Sequence, residues 1–422
     1  MTLEEIKEKL EKYSKSNLLA FYNELAPKEQ QALLDQIANI DLELVERIYN
    51  NRNSVANSED ETIEFMPYVD RQKLSSDQID YYIKIGEDII KEGGLAFAML
   101  AGGQGTRLGH NGPKGTFKLN LNPDKSLFEI KCDNLKETYE KYNVYIPWYI
   151  MTSRDNNDST IKFFEDNNYF GYPKDKVMFF KQGELPMVSE EGKILLESKS
   201  KIVEAADGHG GIFEAMNKNG VIEHMMSQNI KWIFIGGIDN VLLNMVDPLF
   251  IGMAESRKVN VASKSTVKAE PKEKVGAFCK RNGKPSVIEY SEITDEMAYL
   301  KDENGELVYG EAHILCNLFS IDALNLLRTE KLPYHVAHKK CSYVDENGNI
   351  CTPNEPNAYK FETFIFDAFS KFDDMLILRC IREDEFAPIK NKEGVDSPET
   401  ARDLYLKYWE KQLNITYTNK TD

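Results

Sequence analysis

The run LAFAMLA at 95–101 passes without a spacer into GGQGTRLGHNGPKG at 102–115, and no other feature constrains the fold as tightly. Seven residues without a charge or a side-chain hydrogen-bonding group suit a strand buried on both faces. That is the habit of parallel sheets covered by helices. The glycine loop then leads into SLFEIKCDNLKETYEKY, a helix pattern, which makes a strand–loop–helix unit. The alternation continues. IPWYIMTS precedes TIKFFEDNN, VMFFKQG precedes FEAMNKNGVIEHMMSQ, and KWIFIGGIDN follows as a strand. HILCNLFSI and MLILRCI read as further strands, with DALNLLR and KFETFIFDAFSKF as helices. CKRNGKPSVIEYSEI reads as a hairpin, because Asn282-Gly283 suits a type I′ turn. The expected fold class is α/β, with a mixed, mostly parallel central sheet.

Before Leu95 the chain reads as helices. Thr2 can cap the first, Pro27 sits in the first turn of the second, and Ser76 can cap DQIDYYIKIGEDIIKE, which Gly93-Gly94 then end. After Pro388 the chain turns polar and closes in a short helix, TARDLYLKYWEKQL. The division predicted is a helical N-terminal region at 1–93, a main domain at 94–390 and a short C-terminal helical segment at 391–422. With 41% apolar residues a sizeable core is expected. The formal net charge of −17 argues against a nucleic-acid binder, so an anionic ligand needs a local basic pocket. Cys132, Cys279, Cys316, Cys341, Cys351 and Cys380 form no C-x-x-C pair and read as reduced thiols. The N-terminus lacks the apolar core of a signal peptide. No apolar run approaches the roughly 20 residues that span a bilayer. A cytoplasmic protein with no membrane partner is expected.

Glycine loops between strand and helix cradle phosphates, because the backbone can approach closely and its N–H groups face the anion. This loop fits neither common fingerprint. In G-x-G-x-x-G, Gly103 and Gly105 match but Leu108 takes the third glycine's place. In the P-loop the lysine follows a glycine, whereas Lys114 follows Pro113. The loop instead adds Arg107, a planar fork, and Lys114, a compact charge. Two cations on one glycine-lined loop suit a triphosphate whose pyrophosphate departs. The residues therefore point to nucleotidyl transfer.

LAGGQGTRLGHNGPKG resembles the signature loop of the sugar-nucleotide pyrophosphorylases, most closely that of the eukaryotic UDP-N-acetylglucosamine pyrophosphorylases. Other blocks agree in order, among them PWYIMTS (147–153), KQGELPMVSEEGKILLE (181–197), ADGHGGIF (206–213), YHVAHKKCSYVD (334–345) and REDEFAPIKN (382–391). The resemblance runs from about Leu95 to Asn391. It implies a Rossmann-like nucleotidyltransferase that joins UTP to N-acetylglucosamine 1-phosphate with Mg²⁺, or Mn²⁺ in its place, and yields UDP-N-acetylglucosamine and pyrophosphate. By position, Leu100, Ala101, Gly102 and Gly103 resemble the nucleotide cradle, and Arg107 and Lys114 the cations on the triphosphate. Gln182 resembles the reader of the uracil edge and Gly208 a second nucleotide contact. Asp239 resembles the metal ligand and Lys390 a distal lysine that reaches the phosphates. Glu289, Tyr290, Asn317, Phe364 and Phe366 resemble the lining of the sugar pocket.

Two places depart from the family pattern. His209 stands where the family usually has a substrate-contacting asparagine, and Ala312-His313 stand where it usually has glycine-asparagine. Both bear on the sugar, so a pyrophosphorylase for glucose, galactose or several UDP-sugars stays open, as does a non-catalytic UDP-sugar sensor. A nicotinamide oxidoreductase is opposed by the glycine spacing. His335 and His338 have no carboxylate or cysteine cluster to complete a metal site. The short stretch after Lys390, where relatives often carry a β-rich domain, predicts a monomer.

Overall fold

The computed structural model describes residues 1–52 and 61–418. The last four residues of the expected C-terminal segment lie outside that range. The chain divides into two compact units, each drawn from three segments. One takes Met1–Asp60, Gly183–Gly211 and Leu332–Ile365; the other takes Glu61–Gln182, Ile212–Lys331 and Phe366–Asp422. The sequential division at 93/94 and 390/391 does not follow these units, because both are closed by pairings between segments far apart in the chain.

The larger unit is built on an 11-stranded sheet. Its main path runs Val69–Asp70, Leu376–Arg379, Val261–Val267, Glu311–Ser320, Trp232–Gly237, Leu95–Leu100, Trp148–Thr152, Val177–Lys181. Neighbours on this path are parallel except at Glu311–Ser320, which runs antiparallel to both its neighbours. Leu95 through Met99 are fully buried, as the apolar run predicts. Trp148, Phe97 and Phe234 share one register row and pack ring against ring across three strands. Ala277–Arg281 and Lys284–Ile288 form the expected hairpin, with positive φ at both Asn282 and Gly283.

Local readings that differ have local causes. Ser75, not Ser76, caps the helix Ser76–Lys91, because Gln78 then completes a reciprocal capping box. FEAMNKNGVIEHMMSQ is two helices, Ile212–Lys218 and Val221–Ser227, broken at Gly220 with φ +70°. KFETFIFDAFSKF is not a helix. Ala358–Glu362 is a strand paired with His335–Lys339, and a 3₁₀ helix follows at Ile365–Lys371. The C-terminal helix runs Pro398–Thr418, longer than TARDLYLKYWEKQL.

Helix Ser76–Lys91 meets Pro248–Arg257 backbone to backbone. A Cβ on Gly86 would lie 1.9 Å from the Pro248 carbonyl oxygen, and one on Gly252 would lie 1.8 Å from that of Tyr82. Alanine gains helix propensity of about 1 kcal/mol over glycine, but here it must push two backbones apart. Gly86→Ala and Gly252→Ala are each expected to cost about 2–3 kcal/mol net. A lower urea midpoint at unchanged m-value would show it; unchanged midpoints would refute the close contact.

In the smaller unit, helices Leu3–Lys12, Pro27–Asn39 and Leu42–Asn50 share one core with Val188, Ile194, Leu196, Ile202 and Phe361. Short antiparallel ribbons, including His335–Lys339 with Ala358–Glu362 and Val188–Ser189, make its β portion.

Candidate functional site

The larger unit aligns several strand ends. Leu100 is in register with Gly237 on one side and with Met151 on the other, and Met151 with Phe180 in turn. The segments that leave these carboxyl ends therefore start side by side, which is where open α/β sheets bind ligands. They carry the glycine loop, Asp239 and Gln182.

The glycine loop is tied down by its own backbone and by one buried asparagine. The Lys114 amide donates to the Gly103 carbonyl at 3.0 Å, and that of Gly105 to Gly112 at 2.9 Å. Asn156 Nδ2 donates to the carbonyls of Ala101 at 2.9 Å and Gly103 at 3.3 Å. With those carbonyls engaged, the amides of Gly102, Gly103 and Gln104 have no partner among the described residues. Three adjacent N–H donors are thus left for an anion, at the place where the loop's composition predicts a phosphate cradle. Gln182 lies against this cradle: a Cβ on Gly102 would come 2.7 Å from Gln182 Oε1. Arg107 is exposed and Lys114 half-buried. Neither makes an ion pair among the described residues, so both charges remain for a ligand.

Asp239 follows the Trp232–Gly237 strand, with its neighbour Ile238 donating to the Leu100 carbonyl at 3.1 Å. Its carboxylate folds back over Gly237, where a Cβ would meet Oδ1 at 2.5 Å. It makes no side-chain hydrogen bond or ion pair among the described residues. No group of three or more His, Cys, Asp or Glu side chains among them could hold a metal ion alone. A cation at Asp239 must take its other ligands from phosphate oxygens and water. That fits Mg²⁺, which is commonly held by one or two carboxylates plus substrate phosphate.

Lys390 is stitched to the same turn. Ile389 donates its N–H to the Asp239 carbonyl at 3.0 Å, and Asn240 pairs with Pro388. The Asn240 side chain joins both segments, donating to the Glu385 carbonyl at 2.7 Å and accepting from Ala387 at 2.9 Å. Lys390 Nζ lies 3.3 Å from Asp396 Oδ2. Beneath the turn is Lys131, fully buried, whose Nζ donates to the carbonyls of Asn240 and Val241. Burial brings its amine down to about 7, against the opposing pull of Cys316 and Asp239.

Of the expected sugar residues in this unit, Tyr290 is exposed and Glu289 half-buried beside Gly276. Asn317 is fully buried in the antiparallel strand, where its Oδ1 accepts from Ser263 Oγ at 2.9 Å and lies 3.1 Å from His313 Nε2. Phe366 is buried with its ring 5.8 Å from His313. His313 thus fills an aromatic box with Phe278, Phe366 and Phe369.

Gly208, His209 and Phe364 belong to the smaller unit. Gly208 has φ +86°, and a Cβ there would come 2.3 Å from the Thr363 carbonyl oxygen. His209 Nδ1 accepts the Ile365 N–H at 3.0 Å, which places the ring proton of the neutral form on Nε2. Its ring stacks on Phe364 at 5.3 Å, and His335 stacks on the same phenyl at 4.3 Å.

Sequence reasoning missed Asn156, Asn240 and Lys131. For Lys131 a signal existed: it lies four residues from both Leu127 and Leu135, on the apolar stripe of its helix.

The sequence profile of the UTP–glucose-1-phosphate uridylyltransferase family matches residues 9–397. A UDP-N-acetylglucosamine pyrophosphorylase of Saccharomyces cerevisiae is 36% identical over 418 residues, 93% of this chain and 87% of its own. UDP-N-acetylglucosamine diphosphorylase 2 of Arabidopsis thaliana is 35% identical, over 95% of this chain and 82% of its own. A crystal structure of the uridine diphosphate N-acetylglucosamine pyrophosphorylase of Trypanosoma brucei, in complex with an inhibitor, superposes with a TM-score of 0.81 at 29% identity. It covers 94% of this chain and 83% of that one.

Proposed function

The chain belongs to the UTP–glucose-1-phosphate uridylyltransferase family, and from that premise we propose that it makes UDP-N-acetylglucosamine and pyrophosphate from UTP and N-acetylglucosamine 1-phosphate. The observation that carries this reading is the glycine loop, with three free amides and two unpaired cations beside the Asp239 turn. The sugar phosphate oxygen attacks the α-phosphorus of UTP. A new P–O bond forms there, the bond from Pα to its bridging oxygen breaks, and pyrophosphate leaves with that electron pair. The attacking oxygen is already anionic, so no general base is required and the step runs equally in reverse.

The protein's share is positioning and charge. The amides of Gly102, Gly103 and Gln104 hold phosphate oxygens. Arg107 and Lys114 receive the charge that builds on the departing pyrophosphate. Gln182, with a donor and an acceptor, reads the uracil edge, and Leu100 and Ala101 set the depth of the cradle. Lys390 leaves Asp396 to meet the incoming phosphate. Asp239 would hold Mg²⁺, whose charge would screen the phosphates from one another. Glu289, Tyr290, Asn317, Phe364, Phe366, Gly208 and His209 are assigned to the sugar and nucleotide contacts by resemblance. His209 brings an Nε2–H donor where the family has an amide.

Incubation with UTP, Mg²⁺ and a panel of sugar 1-phosphates tests this. N-acetylglucosamine 1-phosphate should give the highest kcat/KM for pyrophosphate release. A preference for glucose or galactose 1-phosphate would overturn the sugar and keep the chemistry; no release from any sugar would overturn both.

A further inference from the structure

Lys131 is a buried amine that the reaction above does not use. It lies on helix Leu127–Tyr142, the first long helix after the glycine loop, and is fully buried. Its Nζ faces no carboxylate within ion-pair distance among the described residues; its partners are the carbonyl oxygens of Asn240 and Val241. These carbonyls belong to the two residues that follow Asp239. A buried lysine placed only to fill volume would be a poor choice, since an apolar side chain of that size avoids the desolvation cost. Either protonation state of the amine keeps two N–H groups for two carbonyls, so the clamp needs no particular charge.

We propose that Lys131 is a positioning residue that fixes the Asp239–Val241 turn, and so sets where the Asp239 carboxylate stands relative to the phosphate cradle. Three other observations support the assignment. Asn240 is held by its side chain to Glu385, Ala387 and Leu242, so the turn has one geometry. Ile389 is bonded to the Asp239 carbonyl, so a shift of the turn also shifts Lys390. Lys131 and the glycine loop sit on one continuous stretch of chain, which ties cradle and carboxylate to the same helix. The inference rests on the reading of Asp239 as the metal-binding carboxylate.

Removal of the partner that orients a metal ligand commonly costs about 10–100-fold in metal affinity or activity. For Lys131→Met the Mg²⁺ concentration that half-saturates pyrophosphate release is therefore expected to rise at least about 10-fold. KM for UTP at saturating Mg²⁺ should stay within about threefold, since the cradle is untouched. Calorimetry gives a second readout without turnover. UTP affinity measured without Mg²⁺ should be unchanged in Lys131→Met, and the gain in affinity on adding Mg²⁺ should shrink. Lys131→Gln, which keeps a donor, should recover most of the Mg²⁺ response, and it serves if the methionine variant does not fold. Asp239→Asn separates the two readings. If it abolishes the Mg²⁺ response while Lys131→Met and Lys131→Gln retain it in full, the role of Lys131 is refuted and that of Asp239 stands. If Asp239→Asn keeps the response, the reading of Asp239 falls, and this inference with it. Equal losses of UTP affinity with and without Mg²⁺ in Lys131→Met would also refute it, since they mark a general packing role.

Discussion

Lys114→Ala and Arg107→Ala should each lower kcat by about 10²–10³, the usual effect of removing a charge that acts mainly in the transition state. The expectation comes from where these charges are left. Neither side chain makes an ion pair among the described residues, and Arg107 is exposed. Their removal breaks no protein contact of that kind, so the unfolding midpoint should scarcely move. The loss should fall on kcat more than on KM. On the proposed reading, the amides of Gly102, Gly103 and Gln104 already hold the triphosphate in the ground state. Charge moves toward the β- and γ-phosphates only as the Pα–O bond breaks, and an interaction that strengthens at that moment appears in kcat. Lys114→Arg should recover less than its conserved charge suggests. The lysine amide and side chain occupy a 3₁₀ turn directly before Gly115, whose missing Cβ makes room for Phe128, and a planar fork does not replace a point charge there. Steady-state kinetics beside a thermal melt would check all three variants. Near-wild-type kcat for Lys114→Ala would remove the loop from the leaving-group role.

The parts of this molecule that were legible in the sequence are those where a local requirement forces an unusual local composition. A strand buried on both faces must be apolar throughout, and LAFAMLA is. A phosphate loop needs glycines where its backbone meets the anion, and 102–115 has six glycines in fourteen residues. A type I′ turn must place two residues at positive φ, and Asn282-Gly283 does. What stayed hidden depends on partners distant in the chain. KFETFIFDAFSKF fits a helix as well as a strand until His335–Lys339 arrives to pair with Ala358–Glu362. The helical N-terminus gives no sign that its core includes Val188, Ile202 and Phe361. Asn317 and Phe366 are assigned to the sugar lining by resemblance, and their burial around His313 brings together residues distant in the chain, which one sequence does not display. Asn240 works through backbone groups, which impose no residue pattern that a reader of one sequence could notice; Lys131 shows only as a charge on an apolar helix stripe, with no sign of the carbonyls it meets.

Lys264→Met should be among the most destabilising single changes in the larger unit, by about 3–5 kcal/mol, because it strands two buried carboxylates. Lys264 Nζ, fully buried, lies 2.9 Å from Asp247 Oδ2 and 2.9 Å from Glu385 Oε1, and Arg71 contacts Asp247 at 2.6 Å. The Arg71–Asp247–Lys264–Glu385 chain alternates in sign and joins three separate segments. Asp247 also caps helix Pro248–Arg257, and the Glu385 carbonyl receives Asn240 Nδ2. Loss of the central cation therefore reaches the Asp239 turn as well as the fold. The signature is in the pH dependence. Burial pushes the Asp247 carboxyl up, but Lys264 and Arg71 outweigh it and hold it well below the usual range. Its stabilising contribution is thus present above the unfolded value of about 3.9 and is lost as pH falls through the lower folded value. Glu385 is shifted the other way: burial raises it, and Lys264 only partly offsets that. Without Lys264 both folded values move upward; Asp247 keeps Arg71 as a partner, and Glu385 moves further above its value in the unfolded chain. The folded variant then binds more protons than the unfolded chain between the two values of Glu385, so it gains stability as pH falls through that window. The deficit of Lys264→Met relative to wild type should accordingly be smaller at pH 5 than at pH 7.5, measured from urea midpoints at the two pH values. The double variant Lys264→Met/Glu385→Gln should regain part of the loss at pH 7.5, because one stranded charge is gone. A deficit of equal size at both pH values, with no recovery in the double variant, would show that Lys264 stabilises the unit by packing and not as the counter-ion of these carboxylates.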